Sequence, residues 1–167
     1  FSYVVLYGVA KRRSAHGTLV GTIPGALPPV IGYVTVTNRL DTAAFLLFLI
    51  LVFWQLPHFY AIAMYRYKDY KAAGLPVITV VKSMRAVKNQ IIAYIFLYTA
   101  ALIGLFILGY TGYAYLLGVL IATFYWLVYA IRRWGLKDDL WGRGMFLNSL
   151  RISLFVSILL ALGSRLP

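Results

Sequence analysis

Cysteine and glutamate are both absent from this sequence of 167 residues, and four aspartates face sixteen lysines and arginines. Without cysteine the sequence offers no disulfide, thiolate metal site or cysteine nucleophile. Charged residues make up 12% of the chain, about half the share usual in soluble domains. Hydrophobic residues make up 62%, and the mean hydropathy is +0.82. A water-soluble domain of this size cannot bury so much apolar surface, so we expect lipid to surround most of these side chains.

The formal net charge of +12 is of a size found in nucleic-acid-binding proteins. Here the cations stand between long apolar runs instead of forming one exposed stripe, so we expect no nucleic-acid partner. An excess of lysine and arginine in alternate connections is typical of the cytoplasmic loops of multi-pass membrane proteins. The charge therefore agrees with the hydropathy.

Five apolar runs reach the length of about 20 residues that a helix needs to cross the hydrocarbon core. We predict transmembrane helices over residues 17–37, 43–64, 91–110, 113–131 and 145–164. Residues 1–10 have neither the basic region nor the cleavage site of a signal peptide, and they predict the second half of a further span. We expect an all-α polytopic bundle with five complete spans and a partial one, in a single domain over 1–167 that is truncated at its N-terminus.

Most cations lie in every second connection of this predicted bundle, namely 11–13, 65–90 and 132–144. The positive-inside rule places these three connections in the cytoplasm. The C-terminus then lies on the periplasmic face. The alternation played no part in choosing the spans, so it supports them independently.

The first complete span is unusual in composition. It contains three prolines, and three glycines spaced by four residues: Pro24, Pro28, Pro29, Gly17, Gly21 and Gly25. Proline removes a backbone donor, and a carbonyl freed inside a membrane must face protein or a wet cavity. We expect a kinked helix beside an internal pocket, with the glycine face packed closely on another helix.

The second complete span ends with polar residues. Gln55 and His58 are three apart and share a helix face, with Trp54 close by. Such groups are costly in a membrane unless they face a cavity, which makes all three candidate binding residues. A second interpretation of His58 stays open, in which a neutral imidazole bonds a backbone carbonyl that Pro57 frees.

Asp69 is the lone acid of the long basic connection that follows. Such a carboxylate is usually part of a local ion pair that contributes little. It is also a ligand suited to Mg²⁺, which binds carboxylates together with phosphate oxygens. Lys11, Arg12, Arg66 and Lys82 are predicted on the same membrane face and would bind the phosphates. This combination suits a lipid-like substrate with a diphosphate head.

Several runs of residues resemble the haem O synthases, a branch of the UbiA-type intramembrane prenyltransferases. The runs are Lys11-Arg12-Arg13-Ser14, Gly25-Ala26-Leu27-Pro28-Pro29, Trp54-Gln55-Leu56-Pro57-His58-Phe59-Tyr60 and Lys68-Asp69-Tyr70. The resemblance covers roughly residues 3–95 and implies a nine-helix enzyme of the bacterial inner membrane. It further implies transfer of a farnesyl group from farnesyl diphosphate to a vinyl group of haem B, giving haem O and diphosphate.

The resemblance also implies roles for the candidate residues. Asp69 would hold Mg²⁺ together with aspartates upstream of this chain, so we expect the chain alone to be inactive. His58 would ligate the haem iron or orient a substrate, and Trp54, Gln55 and Tyr70 would contact the substrates. The expected partners are haem B, farnesyl diphosphate and the lipid bilayer, with haem A synthase or terminal-oxidase assembly as further partners.

Three other functions stay open. A 4-hydroxybenzoate polyprenyltransferase usually carries a second Asp-x-x-x-Asp motif, whereas Ala73 occupies the fourth position after Asp69. A small transporter also has broken helices and intramembrane polar groups, but near mid-membrane. A non-catalytic assembly subunit has no need for a carboxylate among phosphate-binding cations.

Overall fold

The described part of the chain, residues 17–163 of the computed structural model, is built from helices alone. In chain order they are α1 (Gly17–Thr37), α2 (Thr42–Tyr65), α3 (Tyr67–Ala72), α4 (Ile78–Val81), α5 (Met84–Ile107), α6 (Tyr113–Arg132) and α7 (Asp138–Gly163). The five long helices are apolar and long enough to cross a membrane. The predicted multi-pass all-α bundle is therefore confirmed, whereas the predicted partial span over 1–10 lies outside the described residues.

Side-chain caps determine where two of the long helices begin. An oxygen of Asp41 accepts the backbone N–H of Ala44 at 3.1 Å, and Tyr33 donates its hydroxyl to the other oxygen at 2.9 Å. The bond from the Ala44 N–H is the main reason why the pKa of Asp41 lies below its ordinary value. Ser83 caps α5 in the same way through the N–H of Ala86.

Two predicted helix boundaries are wrong. α5 begins at Met84 instead of 91, and α7 begins at Asp138 instead of 145. The connection predicted over 65–90 is largely helical, because it contains α3, α4 and the first turns of α5. Hydropathy locates the apolar part of a helix, but a cap such as Ser83 lets the helix extend into the polar interface.

α2 lies at the centre of the bundle and packs on α1, α5 and α7, while α6 packs on α5 and α7. α1 contacts α2 through Thr22, Ala26 and Val30, which are spaced by four residues and buried. The helix is continuous through its three prolines. The internal pocket expected beside it stays a prediction.

Successive long helices run in opposite directions, as the contact of Leu46 near the start of α2 with Gly104 near the end of α5 illustrates. This arrangement gathers the cations at one end. Of the described residues, this basic end carries Arg66, Lys68, Lys71, Lys82, Arg85, Lys88, Arg132, Arg133, Lys137 and Arg143. Arg39 lies in the connection between α1 and α2, at the opposite end. The basic end comprises the ends of α2 and α6, all of α3 and α4, and the starts of α5 and α7.

Candidate functional site

A cavity of about 540 Å³ opens at the basic end, where the end of α2 and α3 meet the starts of α5 and α7. Its lining consists of Met64, Tyr65, Arg66, Tyr67, Lys68, Asp69, Met84, Asp138 and Asp139. Two of the residues predicted to bind substrate or metal, Arg66 and Asp69, thus line one cavity. Asp138 and Asp139 join them from another part of the chain.

Asp69 lies in the first turn of α3 and pairs with Arg66 one turn earlier. The Arg66 Nη1 to Asp69 Oδ2 distance is 3.1 Å, and the two side chains are 57% and 67% exposed. The local ion pair considered in the sequence analysis is therefore present. A pair this exposed contributes little to stability. Because the Asp69 side chain is exposed and lines the cavity, a ligand there can reach its carboxylate.

Lys88 of α5 holds the start of α7 against the cavity. Its side chain is 7% exposed, and Nζ lies 2.8 Å from Oδ1 of Asp138. The same ammonium donates to the carbonyl oxygen of Trp134 at 3.1 Å and lies 5.5 Å and 5.2 Å from the ring centroids of Trp134 and Trp141. A buried cation needs such partners. The ion pair with Lys88 in turn neutralises Asp138 and fixes the position of its carboxylate.

Asp138 and Asp139 were not among the candidate residues predicted from the sequence. The sequence did contain a signal for these two aspartates, because the predicted topology placed connections 65–90 and 132–144 on one membrane face. The structure adds that the two connections are close enough to line one cavity. The sequence predicted the membrane side of the two connections but not that they lie next to each other.

The cavity fits only part of a magnesium site. Within residues 17–163, no cluster of three or more His, Cys, Asp or Glu side chains is close enough to hold a metal ion. Asp69 nevertheless offers hard carboxylate oxygens, and Mg²⁺ commonly binds one or two carboxylates and completes its shell with water and substrate phosphates. These residues thus fit an ion shared with a phosphate-bearing substrate better than a closed protein cage.

His58 and Trp54 form a second cluster, against α7. The Nδ1 atom of His58 lies 2.8 Å from Oγ of Ser149, and that hydroxyl donates to the carbonyl oxygen of Phe146 at 2.6 Å. When the hydroxyl donates to Phe146, its Oγ accepts the bond from His58 and Nδ1 carries the proton. The Nε2 atom of His58 then keeps its lone pair.

The partner of His58 is thus a serine hydroxyl, and the interpretation with a carbonyl freed by Pro57 is wrong. The indole of Trp54 stacks on the imidazole with 4.9 Å between ring centroids and donates Nε1–H to the Ser149 carbonyl at 2.9 Å. His58 stands seven residues before the end of α2, which places it roughly 10 Å deeper than that helix end. The aromatic cluster and the cavity are therefore separate but lie along the same helix.

Gln55 contacts a different neighbour from His58, although the two were predicted to share a face. Its side chain is buried against Gly25 of α1, where a larger residue would collide with the amide oxygen. The close approach predicted for the glycine face is thus confirmed at Gly25. The Nε2 atom of Gln55 is buried and has no hydrogen-bond partner among the described residues.

The remaining candidates lie apart from these groups. Tyr70 is partly buried and packs on the hydrophobic core, and Lys82 is exposed at the end of α4. Neither belongs to the lining of the cavity. Lys11 and Arg12 lie outside the described residues.

An apolar bundle with a polar, carboxylate-bearing cavity at its basic end is the architecture of a multi-pass membrane protein with a candidate ligand site. The sequence model of the UbiA prenyltransferase family matches residues 1–150, and the chain belongs to that family. This confirms the family resemblance seen in the sequence.

Curated relatives extend the match over nearly the whole chain. The chain is 42% identical over 171 residues to the protoheme IX farnesyltransferase of Edwardsiella ictaluri, a match that covers 99% of this chain and 58% of the relative. It is 42% identical over 173 residues to protoheme IX farnesyltransferase 2 of Chromobacterium violaceum, covering 100% and 57%. The corresponding protein of Photorhabdus laumondii is 41% identical over 167 residues, covering 99% and 57%.

The chain therefore spans somewhat over half the length of the curated relatives it matches. No solved structure matches it.

Proposed function

We propose that this chain is the C-terminal part of a haem O synthase, within a single transmembrane prenyltransferase domain. The full-length protein would transfer the farnesyl group of farnesyl diphosphate to a vinyl group of haem B. The observation that carries the proposal is the identity of about 42%, over 99% of the chain, to a protein named protoheme IX farnesyltransferase. The cavity that holds Asp69 and Arg66 at the basic end supports it.

The proposed reaction breaks the bond between C1 of the farnesyl group and the diphosphate oxygen, and the electron pair leaves with the diphosphate. The terminal vinyl carbon of haem B bonds to C1, which leaves a cation on the inner vinyl carbon. Water adds there and loses a proton, giving the hydroxyl group of haem O. The reaction needs a site that stabilises the leaving diphosphate and keeps water away from C1 until the carbon–carbon bond forms.

The cavity is the proposed site for the diphosphate. Asp69 would hold Mg²⁺ together with aspartates from an upstream segment, and this ion would neutralise charge on the diphosphate. Arg66 in the lining would donate charge-assisted hydrogen bonds to its oxygens. Further donors would be Lys82, which does not line the cavity, and Lys11 and Arg12, which lie outside the described residues. Tyr70 would support the short helix that carries Asp69, because it packs on the core.

The aromatic cluster is the proposed site for haem B. The Nε2 lone pair of His58 suits iron, since a neutral imidazole is a common iron ligand. Trp54 stacks on the imidazole and would form an apolar wall of the slot. The unpaired Nε2 of Gln55 offers buried N–H donors that a polar group of a substrate would satisfy.

The bacterial inner membrane is the proposed location, with the basic end in the cytoplasm and the C-terminus in the periplasm. The haem O product would pass to haem A synthase or to terminal-oxidase assembly. Five membrane-crossing helices and the concentration of cations at one end support this placement.

The test is farnesyl transfer by the full-length protein in membranes supplied with labelled farnesyl diphosphate and haem B, with and without Mg²⁺. The Asp69→Asn variant should lose at least about a hundredfold in Mg²⁺-dependent turnover, because a metal's charge stabilisation amounts to several kcal/mol. Asp41→Asn is the matched control, since it makes the same change at the opposite end of the bundle and keeps a capping side chain.

Wild-type turnover in Asp69→Asn would remove the metal role. Labelled product with 4-hydroxybenzoate as acceptor, and none with haem B, would identify the other prenyltransferase. Membrane transport of either substrate without any labelled product would favour the transporter. The chain of 167 residues alone should form no haem O, and product from it would refute the expected need for upstream aspartates.

A further inference from the structure

Tyr65, the last residue of α2, lies close to two arginines, Arg66 in the connection to α3 and Arg143 in α7. The Cζ atom of Arg66 lies 5.2 Å from the centroid of the Tyr65 ring, and that of Arg143 lies 6.0 Å from it. Tyr65 and Arg66 both line the cavity that contains Asp69. The ring therefore holds the Arg143 guanidinium of α7 beside the cavity, within the range of cation–π attraction.

Gly142 explains why Arg143 is held at this point. A Cβ atom at position 142 would lie 2.8 Å from Cβ of Met64 and 2.9 Å from the backbone oxygen of Ala61 and the backbone nitrogen of Tyr65. Real Cβ atoms essentially never approach backbone so closely, so the missing side chain lets α7 lie directly on the last turn of α2. The next residue, Arg143, is consequently fixed beside Tyr65.

The charges of the cavity show what Arg143 adds. The lining contains three carboxylates, Asp69, Asp138 and Asp139, and two cations. Arg66 is paired with Asp69, and Lys88 neutralises Asp138 from behind. Of the two lining cations, Lys68 forms no ion pair within residues 17–163, so it is the one available to an entering diphosphate.

Arg143 is exposed and forms no ion pair within the same residues. Its planar guanidinium matches two phosphate oxygens at once, and ring stacking reduces the freedom lost when it binds. The geometry points to Arg143 as a diphosphate-binding residue, with Tyr65 as the residue that positions it. This inference rests on the proposed function and adds an arginine from α7 to the site.

The experiment measures binding of inorganic diphosphate to the full-length protein in nanodiscs of phosphatidylcholine, with Mg²⁺ present. Arg143→Ala should weaken this binding at least about tenfold, or about 1.4 kcal/mol. Arg143→Lys should recover part of the loss, because the charge remains but the fork and the stacking do not. Arg132→Ala is the matched control, since it removes an exposed arginine of the basic end that, unlike Arg143, lies over no ring of the cavity lining.

Three results would overturn the inference. The first is diphosphate affinity in Arg143→Ala equal to that of Arg132→Ala. The second is loss of haem affinity with diphosphate affinity intact, which would assign Arg143 to the haem propionates. The third is an effect that appears only when anionic phospholipid replaces phosphatidylcholine, which would assign it to lipid headgroups. Because no haem is needed for the binding measurement, failure of farnesyl transfer to haem would be seen separately.

Discussion

The serine behind His58 gives the sharpest test of the aromatic cluster. Replacing Ser149 by alanine removes the hydroxyl that lies 2.8 Å from Nδ1 of His58. The Trp54 indole keeps its bond to the Ser149 carbonyl, so the stacked ring stays positioned. The substitution therefore removes the bond to the imidazole together with the bond from the hydroxyl to the Phe146 carbonyl.

The expected cost follows from burial. Ser149 is fully buried and His58 is 9% exposed, so an unpaired Nδ1–H has little water to bond instead. A buried donor without a partner costs about 1–3 kcal/mol. Alternatively the proton moves to Nε2, which removes the lone pair proposed to bind iron. Both routes predict weaker haem binding, by about 10–100-fold, the range seen when a partner behind a metal ligand is lost.

The assay is a titration of the full-length protein with haem, followed by its absorbance, together with thermal unfolding. His58→Ala should lose more haem affinity than Ser149→Ala. Ser157→Ala, an exposed serine on the same helix, should behave as wild type. Wild-type haem affinity in Ser149→Ala would refute the tautomer argument, and wild-type affinity in His58→Ala would remove the histidine from the haem site.

Two further predictions concern the scaffold. Gly142→Ala should destabilise the protein by about 1–3 kcal/mol, because the new methyl group meets backbone atoms of α2, whereas Gly32→Ala, which meets nothing within 4 Å, should be neutral or slightly stabilising in thermal unfolding. Equal melting temperatures for the two variants would contradict the close contact. Asp41→Ala should lower stability near neutral pH, because it removes the capping carboxylate. The pKa of Asp41 is lowered from 3.8 in the folded protein, so its carboxylate is protonated only as the pH falls below about 3.8. The difference in stability from wild type should therefore shrink in that acidic range. A difference that persists through that acidic range would show that the cap does not depend on charge.

The sequence was a good guide to the long helices and a poor guide to their polar ends. α1 and α6 were predicted to within a residue, because their apolar runs are bounded by polar or turn-forming residues. α5 and α7 extend beyond their apolar segments through Arg85, Lys88 and Arg143. Hydropathy measures transfer into lipid and does not register a capped helix that projects into the interface.

The candidate site was predictable only where its residues are close in sequence. Asp69 and Arg66 are three residues apart, so one helical turn brings them together. Asp138 pairs with Lys88 of α5 and Ser149 with His58 of α2, and both contacts depend on tertiary packing that no local pattern encodes. Gln55 illustrates the same limit, because its spacing from His58 does not reveal that Gln55 contacts α1 while His58 contacts α7.

The aromatic cluster and the cavity are both formed by α2 and α7. His58 and the cavity lie along the last turns of α2, and Ser149 and Asp138 lie along the first half of α7. One additional residue between His58 and Tyr65 would turn the imidazole by about 100° relative to Asp69 and shift it by about 1.5 Å. The register of a single helix pair would therefore fix how a head group at the surface and a flat ring farther down are aligned. Changes of length in this segment should be far less tolerable than changes of side chain.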